Sequence, residues 1–203
     1  MESGAYSEML FLGEIVNLQV QPVDLKVGER RKERYTPATM RSVPRLLVEE
    51  AGVWGLGEAW ERILDVHHRD HPTSKLRGTE NAISFGLTSH YAAMRERFGG
   101  HLVDTVAGEN ILIAANRPVS LEEVAGGLVV ETARGSVALG QVAVAHPCAP
   151  FSRFALGMGH DEPADRRVTE ALRFLDGGMR GFYVAYRGEP AEIAVGDRVF
   201  VAN

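Results

Sequence analysis

The chain is poor in cysteine, poor in lysine and free of long apolar runs. One cysteine, Cys148, among 203 residues excludes an intramolecular disulfide framework and any zinc pattern of paired cysteines. It suits a reducing compartment. Lysine occurs only as Lys26, Lys32 and Lys75, which leaves few candidates for a Schiff base to a carbonyl cofactor. No run of about 18 apolar residues is present, and Met1 to Tyr6 is polar and acidic. We therefore expect neither a signal peptide nor a membrane span, and a cytoplasmic protein. Basic excess is absent too. A net charge of -5 argues against a general nucleic-acid binder, although arginine can still build a local basic face. No internal repeat, low-complexity tract or linker divides the chain, so one domain over residues 1–203 is expected.

What the chain does have is β pattern. Leu10 to Val20 places Leu12, Val16, Leu18 and Val20 at alternate positions, the pattern of a half-buried strand. Val27 to Arg34 is a mixed charge run and reads as a solvated hairpin or loop. Gly52, Gly55 and Gly57 predict a turn before a short helix near Glu58. Leu76 to Gly86 reads as a polar turn into a short strand. Thr88 or Ser89 is expected to cap a helix with Tyr91, Met94 and Phe98 on one apolar face, stopped by Gly99-Gly100. Further strands are predicted at Ile111–Ala114, Gly127–Thr132, Val137–Leu139, Gln141–His146, Phe182–Arg187, Glu192–Val195 and Arg198–Val201. Ser120-Leu121-Glu122-Glu123 is a capping box, and a helix is expected over Asp165 to Leu175. Strands separated by turn glycines predict a β-rich α+β barrel or sandwich more than alternating βαβ units.

Two stretches invite chemistry. Asp65-Val66-His67-His68-Arg69-Asp70-His71 sets His67 and His71 at the i, i+4 spacing of helical metal ligands. Pro72 follows at once and no third ligand is fixed, so an exposed polar turn is the expectation. The other stretch is Val142 to Phe151, where Cys148 follows an apolar run between Pro147 and Pro150. Each proline fixes its own φ and extends the residue before it, which predicts a strand ending on a stiff, thiol-bearing turn. His146 and Cys148 share a strand face at i, i+2. With no orienting third group evident, a nucleophilic pair of hydrolase type is disfavoured.

Around Cys148 the order of motifs is specific. Gly78-Thr79-Glu80-Asn81-Ala82-Ile83 leads to His90-Tyr91, then to Gly108-Glu109-Asn110 and Pro147-Cys148. Gly181-Phe182-Tyr183 and Gly196-Asp197 follow. This succession resembles the MOSC family, named for the C-terminal domain of molybdenum cofactor sulfurase, from about Gly13 to Val201. The family turn often reads His-Gly-Gly where this chain has Leu76-Arg77-Gly78. Gly126-Gly127 stands for a Gly-Asp turn, and Ala145 for an arginine three residues before the cysteine.

The resemblance implies a MOSC-type β-barrel with a few peripheral helices. It also implies molybdenum cofactor held through Cys148, as in reductases of N-hydroxylated compounds. A thiolate is a soft donor suited to such a centre, and nearby positive charge favours that form. Arg77, Arg153 and Arg180 are the candidates for that charge and for binding phosphate, with Gly78, Asn81, His90, Glu109 and Asn110 at the same mouth. A second reading makes Cys148 a sulfur carrier, a sulfurtransferase taking persulfide from a separate cysteine desulfurase. A third is a non-catalytic binding module with an inert thiol. Pyridoxal phosphate is not expected. The partners expected are a small-molecule cofactor or substrate, and a desulfurase or electron-transfer protein. Exposed strand edges make a homodimer plausible.

Overall fold

The computed structural model describes residues 9–29, 32–74, 82–159 and 162–202, with only the backbone of Trp60. Its frame is a barrel of seven strands. β1 (Leu10–Val20) runs between β9 (Ile111–Ala114) and β14 (Arg198–Val201). The circuit continues through β10 (Leu128–Thr132), β11 (Gly135–Val144), β12 (Phe182–Tyr186) and β8 (Ile83–Leu87), and the β8–β9 pair completes it. That last pair is parallel, with Phe85 opposite Ile111, and every other pair is antiparallel. β1 is long enough to serve three neighbours. Its first half pairs with β14 from Leu10↔Val201, its middle with β9, and its end with β4 (Arg41–Val43) through Leu18↔Val43.

Alternation decides which side chains enter the barrel, but in β1 a bulge between Ile15 and Asn17 resets it, so Ile15 is buried and Val16, expected on the buried face, is exposed. Ile15, Leu18 and Val20 of β1 join Ile83, Phe85 and Leu87 of β8, with Phe182 and Val184 of β12, in one buried cluster. Phe85 and Phe182 stack with ring centroids 5.1 Å apart. Closing the sheet also removes the unpaired strand edges that an open sheet would leave.

Outside the barrel lie a two-stranded hairpin of β2 (Lys26–Val27) and β3 (Arg34–Tyr35), and a sheet ordered β13-β5-β6-β7. These four strands are Ala191–Ala194, Arg45–Glu49, Gly52–Leu56 and Arg62–Leu64. The helix expected near Glu58 is replaced by this sheet. Glu58–Trp60 is a single 3-10 turn containing Ala59 at φ 53°, and the glycines before it lie in or beside β6. A Cβ on Gly55 would lie 3.0 Å from both Val20 and Val43, so this glycine marks close packing.

Among the described residues four α-helices lie outside the barrel: α1 (Thr88–Phe98), α2 (Leu121–Val124), α3 (Ala149–Ala155) and α4 (Arg166–Leu175). Tyr91 and Met94 of α1 are buried with Phe151 of α3 and Leu175 of α4 in a second apolar cluster, against which Phe98 packs. Two expectations need correction. Leu87, not Thr88 or Ser89, is the N-cap of α1, because the Thr88 hydroxyl is engaged with the backbone of Ala115, just past β9. Residues 137–146 do not form two strands. β11 is continuous to Val144 and absorbs the break as a bulge, with Gln141 at φ 53°. The capping box at Ser120 and Glu123 forms as expected. Among the described residues no helix is long and apolar enough to cross a membrane.

Candidate functional site

Cys148 sits four residues beyond the end of β11, as the N-cap of α3. The stiff turn expected from the two prolines is thus the start of a helix. Pro150 is in its first turn, where a proline loses no helical hydrogen bond. Ser152 donates its backbone N–H to the Cys148 carbonyl at 3.0 Å, so the helix holds the cysteine's backbone. The side chain is half-buried and packs against the second apolar cluster.

It opens on a cavity of about 280 Å³ whose walls include Tyr35, Glu109, His146, Arg180 and Tyr183. These residues come from separate elements. Tyr35 is on β3, its ring 5.0 Å from that of Phe151, and its hydroxyl donates to the Val106 carbonyl at 2.7 Å. Burial pushes that hydroxyl's pKa above its usual range, while the charge of Arg180 pulls against the shift.

Arg180 lies in the tight turn between α4 and β12. One Nη donates to the Ala107 carbonyl at 3.1 Å, and the guanidinium stands 5.3 Å from the Phe151 ring. Its Nε is buried without a hydrogen-bond partner among the described residues. Burial alone would lower its pKa, but the charge interactions with Tyr183, Tyr35 and Cys148 outweigh that effect and raise it. Arg180 is therefore a fixed cation in the cavity wall.

Glu109 stands beside it, almost wholly removed from solvent at 4% exposure. The Tyr91 hydroxyl donates to Oε2 at 2.8 Å, and Oε1 has no partner among the described residues. Burial pushes the carboxyl up to about 7, against its own backbone N–H, the Tyr91 hydrogen bond and the Arg180 charge, which all hold it down.

Its neighbours in the chain explain how a carboxyl is kept there. Gly108 has φ +89°, and a Cβ on it would lie 2.8 Å from Leu25 and 3.0 Å from the Gln21 amide nitrogen. Only glycine meets both demands. Asn110 is a buried tie: its Oδ1 accepts from the Ser84 backbone at 3.0 Å, and its Nδ2 donates to Asp65 Oδ2 at 3.0 Å.

The other expected site residues fall elsewhere. His90 is buried behind β12, its Nε2 accepting from the Val119 backbone at 3.2 Å and its ring 6.1 Å from Phe182. Burial pushes its pKa down to about 4. Arg153 is turned to the loop after α3, where it donates to the carbonyls of Gly159, at 3.0 Å, and Glu162. Asn110, His90 and Arg153 do not line the cavity. Arg77, Gly78 and Asn81 lie outside the described residues.

Histidine placement also departs from expectation. His146 Nδ1 lies 2.8 Å from Asp176 Oδ1, so the orienting group the sequence did not reveal is present, delivered by the C-cap of α4. In the 65–71 stretch His68 is not exposed. It is fully buried, with Nδ1 accepting from Asp70 N and Nε2 facing Glu49 Oε1 at 2.7 Å. His67 turns to Asp65, and His71 donates to the Pro22 carbonyl. No group of three metal-ligating side chains is found among the described residues.

Tyr35, Tyr183 and His67 were missed. The last was weighed only as a metal ligand, Tyr183 stood in the Gly181-Phe182-Tyr183 motif without being taken as a site residue, and Tyr35 belongs to a distant hairpin with no local signal.

A seven-stranded barrel with a half-buried thiol at one cavity, faced by a buried arginine and a buried carboxyl, defines the class of protein. The MOSC domain model matches residues 67–200, a span that contains Glu109, Cys148 and Arg180, and the chain belongs to that family. The fold is similar to that of the YuaD protein of Bacillus subtilis, at 12% identity and a TM-score of 0.52, over 93% of this chain and 97% of that one. A second solved structure, described as a hypothetical protein, aligns at 12% identity and a TM-score of 0.53, over 97% of this chain and 70% of its own. At these identities the likeness is one of fold. No curated protein matches the chain.

Proposed function

We propose that this MOSC-domain protein binds molybdenum cofactor in the Cys148 cavity, as a reductase of N-hydroxylated or similar compounds. The observation that carries the reading is the joint placement of Cys148, Arg180 and Glu109 on one cavity, with a guanidinium nitrogen and a carboxyl oxygen unpartnered among the described residues. Buried polar atoms are rarely left so unless a ligand completes them. The donor set fits the group. Cys148 offers a soft sulfur to the metal, and the Arg180 fork offers charged N–H donors to an anionic part of the cofactor or substrate. When bound, the cofactor supplies two-electron chemistry at its metal. The chain's own residues hold the ligand, fix the local charge and exclude water: Phe182 and Tyr35 wall the cavity, and Tyr183 faces Arg180. A separate electron-transfer protein supplies electrons in this reading.

The test is retention of the cofactor by purified protein. After incubation with molybdenum cofactor released from a donor enzyme and gel filtration, the native chain should keep near-stoichiometric molybdenum, and Cys148→Ser should keep none. Arg180→Gln should bind about tenfold more weakly, the size of one lost charge-assisted hydrogen bond. No retention by the native chain, with persulfide forming on Cys148 beside a cysteine desulfurase, would replace this reading with the sulfur carrier.

A further inference from the structure

We propose that Glu109 is the proton-exchanging group of the cavity, passing a proton between its free Oε1 and the molecule bound beside Cys148 and Arg180. The assignment rests on the cavity being the functional centre named above.

Each hydrogen bond around the carboxyl limits what it can do. Tyr91 Oη already accepts the Ala107 N–H at 2.9 Å, and it donates its own proton to Glu109 Oε2 at 2.8 Å. That leaves Oε1, buried and without a hydrogen-bond partner among the described residues, as the oxygen able to carry or surrender a proton. Gly86 brings backbone close to the carboxyl on the barrel side, since a Cβ there would lie 3.2 Å from Oε1 and Cδ. The backbone of Glu109 cannot drift, because its carbonyl accepts from Gln19 Nε2 at 2.8 Å and Asn110 is tied to Ser84 and Asp65. The charged and titratable groups acting on it are Tyr91 from α1, Arg180 from the turn before β12, and Asp104 from the loop after α1. Tyr35 on β3 and Cys148 before α3 share its cavity.

In the transfer the Oε1–H bond breaks and a new bond forms from that proton to an acceptor atom of the bound molecule. No electrons move. The carboxylate left behind keeps the Tyr91 hydrogen bond and is balanced by Arg180, and uptake of a proton from the bound molecule or solvent resets it. A carboxyl that holds its proton to about pH 7 is matched to this task at physiological pH.

Two measurements on the full chain without cofactor test the assignment. Infrared titration should show a protonated-carboxyl band at pH 6 that is lost around pH 7 and is absent in Glu109→Gln. Alkylation of the single cysteine should then report the charge. The rate ratio of iodoacetate to iodoacetamide should fall several-fold as pH rises through 7 in the native chain, and stay flat in Glu109→Gln. Tyr91→Phe keeps the carboxyl but removes its donor, and should move both transitions to higher pH. A missing band at pH 6, or a band whose loss leaves the alkylation ratio unchanged in both the native chain and Tyr91→Phe, would overturn the assignment. Neither probe needs bound molybdenum, so failure to bind the cofactor and failure of this assignment are separate results.

Discussion

Two buried ionisable side chains, Glu109 and His90, pull the pH dependence of stability in opposite directions. The Glu109 carboxyl moves from 4.5 to about 7 on burial. The folded chain therefore keeps a proton that the unfolded chain releases, and this contribution is complete below about pH 4.5 and lost as pH rises through 7. His90 moves from 6.5 to about 4. The unfolded chain takes up a proton that the folded chain refuses, so this contribution is present above pH 6.5 and lost as pH falls through 4. Each is worth about 3 kcal/mol over its full window. Between pH 4.5 and 6.5 the two slopes cancel. Urea unfolding across that interval should show the cancellation lifted in single variants. Relative to the native chain, Glu109→Gln should gain roughly 2–3 kcal/mol as pH rises, and His90→Gln should lose as much. Parallel curves for all three would show that burial does not perturb these groups. Gly-Glu-Asn put Glu109 at the candidate mouth, and the cavity includes it. The carboxyl's unpartnered oxygen was not legible, because that depends on where Tyr91, 18 residues earlier in the chain, places its hydroxyl.

At the scale of elements, the site depends on two short connections. One is the Gly108 turn into β9, and the other carries Cys148 from β11 into α3. Gly108 and Gly135 offer a clean contrast. Both have positive φ, at +89° and +131°, but a Cβ meets Leu25, Gln21 and Tyr35 at the first and nothing within 4 Å at the second. Gly108→Ala should therefore lower the thermal midpoint by several degrees more than Gly135→Ala, corresponding to roughly 1–3 kcal/mol of added crowding. It should also move Tyr35 and slow cofactor uptake. Equal losses in the two variants would mean that backbone strain alone matters. The strands at Leu10–Val20, Ile111–Ala114 and Arg198–Val201 were legible in the sequence, but the bulge that buries Ile15 and exposes Val16 in the first was not. β5 to β7 were not, because their glycines spoke for turns while tertiary packing placed Gly52 and Gly55 in a sheet. α3 was hidden by Pro150, which serves a helix start as well as a turn.

The whole barrel explains why a lone thiol acquires specific surroundings. Closure of β1 on β14 brings the first and last strands together, and β8 and β12 then run side by side. The 107–109 turn, Cys148 and the 180–183 segment consequently meet at one cavity, and the hairpin at Tyr35 covers it. The family pattern made Cys148 and Glu109 visible. The choice among arginines was not visible, since Arg153 and Arg180 look alike in sequence and only packing turns the first to a loop and the second to the cavity. The central claim is that this cavity holds molybdenum through Cys148. Elemental analysis of protein purified from a host that makes molybdenum cofactor, with Cys148→Ser prepared alongside, tests it most directly. Near-stoichiometric molybdenum in the native chain and none in the folded variant is the expected result; no molybdenum in either, or equal amounts in both, would contradict it.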